Sequence, residues 1–431
     1  MSIAQNRKLE RISEHTLVVG VDIAKNRHVA RAGNFRGVEL AKPLTFDNRR
    51  RGFESLKQWL EQLQQAHGLS TAIVAMEPTG HYWMNLAQYL RGQDILVVLV
   101  NPLHVKKSKE LDDNSPTKND TKDAWVIAQL VKDGRYAVPL SPTDVFAELR
   151  VGMNERERLE KDLRRAGGRV GNWLDRFFPE FLDVFKQWDG KTALVCLHTM
   201  PLPQDVLAKS PEQIVALWRE KGVKRGVGLK RAYALQEAAR QSIGLTEGLV
   251  MGRQELQILL QQVELLTTQL QTLWVRLLGL LQGVPGAAQM LTVPGVGPVT
   301  VAGFLAEVGD LAQYSHWRQV QKLAGYNLKD NRSGEHRGQT HITKRGRPRL
   351  RALLYRCVVP TLVHNAEFRA LHTYYTTRPD NPLKKKQSLV ALCVRLVRVL
   401  FTLGRHQIPY DAAKVSGITG AATDRPAPAA A

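Results

Sequence analysis

An α/β domain followed by a largely helical chain is the fold class the sequence predicts. Three observations carry this reading. Strand-sized apolar runs alternate with amphipathic helical stretches over residues 16–135. A long, charged stretch of helical period then runs from about 150 to 285. A second compact stretch, rich in glycine turns and basic residues, fills 286–405.

The first domain reads element by element. LVVGVDIA is a strand, and HVARAG and VELAKPLTF are candidates for its two antiparallel neighbours. Phe53, Leu56, Leu60 and Leu63 recur at helical spacing. TAIVAME is a second core strand, YWMNLAQYL a helix and DILVVLV a third core strand. DTKDAWVIAQLVKDG is a helix closed by a glycine. Three strands, helix, strand, helix, strand, helix is the order of the ribonuclease-H-like fold.

The remaining boundaries are compositional. The sequence predicts a catalytic domain over 1–150, a helical linker and coiled-coil region over 151–285, a mainly α domain over 286–405 and a disordered tail over 406–431. In the helical region Leu256, Leu259, Val263 and Leu266 recur at three- and four-residue steps. They suit one arm of a coiled coil, or a long helix packed on its own domain. The tail GITGAATDRPAPAAA is Ala/Pro-rich.

Composition narrows the function. The 431 residues carry a net charge of +21, which points to a polyanionic partner. From Lys322 to Arg356 there are ten Lys or Arg and two acids. No run approaches the roughly 18 apolar residues of a membrane span. The polar N-terminus has no apolar signal region. Cys196, Cys357 and Cys393 form no CxxC pair, which excludes a disulfide framework or cysteine zinc site. A cytoplasmic protein, nucleoid-associated when bound to DNA, is expected.

Four carboxylates stand out. Asp22 sits within an apolar strand, Glu77 ends a second strand, and Asp120 and Asp123 lie three apart on one helix face. In a ribonuclease-H-like fold these elements converge at one end of the sheet. Clustered anions repel one another, and divalent cations relieve that repulsion. Mg²⁺ prefers hard oxygen ligands, and two such ions serve phosphoryl transfer.

Here the resemblance becomes specific. VGVDIAK, MEPTGHYW and KNDTKDA resemble the Asp-Glu-Asp-Asp motifs of the transposases of insertion-sequence family 110. The N-terminal domain of that family resembles the Holliday-junction resolvase RuvC. FDNRRRGFESLKQWL and NPLHVKKSKE fit as well. The resemblance implies Asp22, Glu77, Asp120 and Asp123 as catalytic metal ligands, with Mg²⁺, expected as two ions, as cofactor.

A second block follows. PGVGPVTVA resembles the hairpin of a helix-hairpin-helix element, in which Gly295 and Gly297 permit a tight turn and backbone N–H groups hold a DNA phosphate. An ordinary glycine-rich helix connection reads equally well. Lys344, Arg345, Arg347, Arg349 and Arg351 are candidate phosphate clamps. From the residues alone, Ser333 is one loop serine among many. The block resembles the C-terminal domain of the same family, whose SG serine is the nucleophile. The matching positions are Ser333, Gly334, Gly338, Lys344 and Gly346. Where the family usually has asparagine after the last glycine, this chain has Arg347-Pro348.

A serine hydroxyl needs activation, and carboxylate-bound metals supply it. Attack by Ser333 would leave a phosphoserine–DNA ester and a free 3′ hydroxyl, preserving the bond energy for resealing. The resemblance further implies donor and target DNA, a guide RNA, and a homodimer that pairs into a tetramer with a site shared between subunits. His81, His336 and His341 are lesser candidates for proton transfer, and Tyr326 is an alternative nucleophile. Tyr82 and Trp83 read as packing residues. The chief rival is a Holliday-junction-type or structure-specific endonuclease that uses the carboxylates for hydrolysis. A sugar-kinase-like ATPase would need a glycine-rich turn after the first strand, and DIAKN has none. A non-catalytic nucleic-acid binder would leave all four carboxylates dispensable.

Overall fold

Strand β1 (Thr16–Asp22) lies near the middle of a six-stranded sheet. It runs antiparallel to β2 (Arg27–Gly33), with Asp22 opposite Val29. It runs parallel to β4 (Thr71–Met76), with Val21 beside Met76. β3 (Leu44–Asp47) is antiparallel outside β2, β5 (Leu96–Val100) is parallel beside β4, and β6 (Tyr136–Ala137) is antiparallel at the far edge. The order is β3-β2-β1-β4-β5-β6.

This computed structural model describes residues 3–112, 120–139, 144–329, 332–333, 336–337 and 340–416. The chain forms two compact units, 1–140 and 141–431.

In the first unit the period of two sorts side chains between the faces. Leu17, Val19, Val21, Val74 and Met76 pack with α2 (Arg50–His67) and α3 (Trp83–Arg91). Val18, Ile73, Ala75 and Val98 pack with α5 (Asp120–Lys132) and with Val105 of α4 (Pro102–Asp112). Each fully buried Val or Leu stabilises the fold by about 1.5–3 kcal/mol relative to exposure. The sequence reading of NPLHVKKSKE left its structure open; it forms α4, because Val105 is buried on the sheet. The short α1 (Ile3–Leu9) docks where Tyr136 Oη donates to the Lys8 carbonyl.

The second unit begins with α6 (Asp144–Phe177), 34 residues long. Short helices follow: α7 (Phe181–Val184), α8 (Lys191–Thr199), α9 (Pro203–Leu207), α10 (Pro211–Glu220) and α11 (Leu229–Arg240). The chain then returns along α12 (Leu249–Gln282). Gly152 lies against Leu277 and Gly252 against Phe177, so α6 and α12 are antiparallel. Trp173 Nε1 donates to the Gly252 carbonyl at 2.7 Å, and Arg176 pairs with Glu255. The helix read as one arm of a coiled coil thus finds a partner in its own chain. At this end Trp173, Phe178, Phe181 and Trp218 form a separate core, which caps the hairpin.

At the other end lies a larger core. It is built from α13 (Ala287–Met290), α14 (Pro298–Val308), α15 (Trp317–Ala324), α16 (Pro348–His364), α17 (Ala366–Thr377) and α18 (Lys385–His406). Among the described residues only α18 is long and apolar enough to cross a membrane. Leu392, Leu396 and Leu400 of α18 are wholly buried in this core, which explains that composition. Ordered contacts continue past 406, where the sequence predicted a disordered tail. The Tyr410 N–H donates to Thr292 Oγ1 at 2.8 Å, and α19 (Ala412–Ser416) follows. The expected disorder of 417–431 lies outside the described residues.

Candidate active site

The sheet's own geometry sets Asp22 and Glu77 side by side, and the packing of α5 fixes the approach of its acidic turn. Val18, Gly20 and Asp22 alternate onto the face that α5 covers. Ile73 and Ala75 occupy that same face of β4, and Glu77 follows in phase directly beyond Met76. Because Val21 is level with Met76, Asp22 and Glu77 leave neighbouring parallel strands at the same height. An added Cβ on Gly20 would sit 2.0 Å from the Ala124 carbonyl and 2.5 Å from the Ala128 nitrogen. Only glycine admits α5 at that distance, and Asp123 directly precedes the contact. Asp120 begins α5; its side chain lies outside the described residues.

Glu77 and Asp123 each have a fixed neighbour. Thr79 Oγ1 donates to Glu77 Oε1 at 2.7 Å from the PTG turn. Lys109 of α4 forms an ion pair with Asp123. Arg31 reaches from β2 toward α5: it grips Glu39 with two bonds of 2.6 Å, lies 4.8 Å over the Trp125 ring and donates to the Thr121 carbonyl. Lys109 and Arg31 were missed by sequence reasoning. The lysines of VKKSKE were visible, but the pairing is tertiary.

The loop leaving Asp22 is clamped from behind. His28 is fully buried, and its Nδ1 accepts the Ala24 N–H at 3.2 Å. Asn48 donates its backbone N–H to the Asn26 carbonyl and its Nδ2 to the Lys25 carbonyl. Burial pushes the His28 pKa down. A neutral imidazole follows.

The donors are hard carboxylate oxygens, which suit a hard divalent cation. The Lys109 ammonium already stands beside Asp123 as a cation. Among the described residues no three acidic, His or Cys side chains close into a metal cage; the Asp120 side chain is not among them. The donor chemistry therefore fits a divalent metal, while the described side chains form an open set.

The second unit holds the other candidates. Ser333 lies on the two-residue strand β7 (Arg332–Ser333), which pairs with β8 (His336–Arg337), Ser333 opposite His336. Their side chains, and Gly334 and Gly338, lie outside the described residues. His341 is exposed on a short strand that pairs with Leu328–Lys329. Gly295 has φ +86°, and a Cβ there would meet the backbone of Thr361 at 2.6 Å. Close packing on α16 thus accounts for Gly295, whereas Gly297 faces open space at the start of α14.

The basic run divides. Lys344 and Arg345 are exposed. Arg347 joins Arg150 on the Glu307 carbonyl at the end of α14. Arg349 Nε pairs with Glu157 at 3.0 Å. Arg351 donates to the carbonyls of Ala324 and Lys344. These three fasten α16 to its neighbours. Gly346 lies where a Cβ would be 2.4 Å from the Leu323 carbonyl, and Pro348 occupies the first turn of α16, for which its fixed φ is suited. Tyr326 is buried and donates to the Arg351 carbonyl at 3.0 Å. Burial pushes its phenol pKa up, which disfavours the phenolate a nucleophile needs. His81 is exposed against the Tyr82 ring, and Trp83 packs on the sheet's core.

Comparison with known proteins decides the family. Residues 19–179 match the DEDD transposase family of IS110, and residues 287–373 match a second family described as "Transposase IS116/IS110/IS902 family", together more than half of the chain. The chain belongs to this transposase family. Relatives agree. An uncharacterized 44.8 kDa protein of insertion element IS116 from Streptomyces clavuligerus is 27% identical over 67% of this chain and 72% of that protein. The mini-circle putative transposase for IS117 from Streptomyces coelicolor is 26% identical over 72% and 76%. A pilin gene-inverting protein from Moraxella bovis is 22% identical over 91% and 97%. Asp22, Glu77, Asp120 and Asp123 all fall within the first matched segment of the transposase, and Ser333 falls within the second.

Proposed function

We propose that this transposase cuts and rejoins DNA through a covalent phosphoserine intermediate, with its first unit acting as a RuvC-like, ribonuclease-H-like catalytic domain. The strand order around β1 supports that fold reading. One observation carries the mechanism. The β1–β4 register and the Gly20 contact bring Asp22, Glu77 and the acidic turn of α5 to one end and one face of the sheet.

Asp22, Glu77, Asp120 and Asp123 would hold Mg²⁺, two ions in this reading, which supplies charge neutralisation at phosphorus and a more reactive attacking oxygen. Ser333 Oγ bonds to phosphorus as the bond to the 3′ oxygen breaks. The serine loses its proton and the departing 3′ oxygen gains one. The new ester keeps the phosphodiester's energy, so a hydroxyl of another strand reseals it without an external energy source. Lys344 and Arg345 contact phosphates. We place donor and target DNA, a guide RNA, and a dimer that pairs into a tetramer among the partners, as the family resemblance implies.

The test uses the purified protein, RNA transcribed from the DNA flanking its gene, Mg²⁺ and labelled junction DNA on a denaturing gel. A protein–DNA adduct present in wild type and absent in Asp22→Asn and Ser333→Ala is the expected result. Free cleaved DNA that persists in Ser333→Ala would make the protein a hydrolytic nuclease instead.

A further inference from the structure

The cap at the end of the α6–α12 hairpin lies between the two family-matched segments and carries a feature that strand exchange does not explain. The connection from α10 to α11, Lys221 to Arg231, holds five basic residues and no acid. Such a run repels itself unless something anionic lies against it. The segment is also tied down. Val223 is buried, and its N–H donates to the Trp218 carbonyl at 3.0 Å. Lys191 Nζ donates to the Gly222 carbonyl at 2.7 Å. Arg231 donates to the Gly226 carbonyl at 2.9 Å and lies over the Phe185 ring.

Those bonds occupy Arg231, and Lys221 stands near Glu220. Lys224, Arg225 and Lys230 are exposed, with no acidic partner in ion-pair range among the described residues. Beside Lys230 on α11, Leu229 and Tyr233 share a face at i, i+4 spacing and are 46% and 55% exposed. An exposed aromatic ring next to unpaired cations, on a segment already held in shape, suits a strand that offers both phosphates and unstacked bases. Preordering lowers the entropy cost of binding.

We propose that this face of the cap binds a single-stranded stretch of nucleic acid. Lys224, Arg225 and Lys230 lie along its phosphates, and Tyr233 stacks on a base. Duplex would offer the phosphates but no free base face. The proposal is independent of Ser333 and of the carboxylates.

The experiment measures binding by the full-length protein. Probes are a fluorescein-labelled 20-nucleotide DNA strand, the same sequence as RNA, and the DNA duplex, across a salt series. The variants are the triple Lys224→Ala, Arg225→Ala, Lys230→Ala, and the singles Tyr233→Ala and Tyr233→Phe. All are surface changes, and an unaltered thermal transition verifies folding. The triple variant should weaken single-strand binding by about tenfold or more and reduce the log–log salt slope by roughly 2, the share of three phosphates. Tyr233→Ala should weaken it by about 5- to 100-fold with the slope kept, and Tyr233→Phe should restore it. Whichever single strand, DNA or RNA, loses more identifies the natural source. Unchanged affinity and slope in the triple variant overturn the proposal. So does an equal loss on duplex, or a Tyr233→Ala variant that binds like wild type.

Discussion

Gly20 of β1 lies beneath the Ala124 carbonyl of α5, with no room for a methyl group between them. That contact fixes the distance from the sheet to the acidic turn. Gly20→Ala must lift α5 or bend β1. We expect a loss of about 1–3 kcal/mol, seen as a Tm lower by roughly 2–10 °C. Strand cleavage should fall by more than the folded fraction does. Parallel thermal melts and cleavage assays on the variant check this, and wild-type cleavage by a less stable protein would remove the spacing role.

Lys109 pairs with Asp123, and in the proposed mechanism it competes with the metal for that carboxylate. In Lys109→Ala the carboxylate is released, and the Mg²⁺ concentration for half-saturation should fall about 2- to 10-fold, as for a part-exposed ion pair. Calorimetric titration with Mg²⁺ reads this directly. An unchanged midpoint would show that the ammonium and the metal do not share the site.

His28 gives the first unit a pH dependence. Its folded pKa lies below the ordinary value, so the unfolded chain takes up the proton first. The stability this histidine contributes is complete above about pH 6.5 and is lost as pH falls below that. Denaturant midpoints at pH 7.5 and 5.5 should fall further for wild type than for His28→Gln, which cannot titrate. Parallel declines would contradict the assignment.

The three thiols should be inert in the folded chain. Burial raises all three, Cys196 and Cys393 to about 12, and Cys196 also accepts the Trp218 indole N–H at 3.1 Å. A thiol reagent at pH 8 should therefore label the native protein far more slowly than the denatured one. Rapid labelling of even one native thiol would point to local opening of the core around it.

The five longer strands were legible because each advertises itself, whereas the two-residue edge strand β6 carries no periodicity to read. Leu17, Val19 and Val21 alternate with Val18 and Gly20, and Asp22 breaks the run where the strand ends. The sequence places Asp22, Glu77 and the first turn of α5 on elements that meet at one end of the sheet, and the backbone register of β1 and β4 agrees. What escaped was tertiary. Nothing near Arg347 and Arg349 announces that a helix end and Glu157 await them, so a row of arginines reads as a phosphate clamp. Likewise α12 shows a seam of leucines without naming the helix that fills it. Gly295 reads as a turn for a phosphate, while its missing Cβ is taken up by the backbone of α16.

Phe177 and Gly252 touch, although the chain travels through residues 178–251 between them. That excursion begins and ends at one point, and its core closes on the adjoining ends of α6 and α12, apart from the larger core. Topologically it is a detachable loop: lengthening, shortening or exchanging it moves no strand of the sheet and no helix of the larger core. Selection is thereby free to remodel what the cap grasps while leaving the bond-breaking parts of the molecule alone.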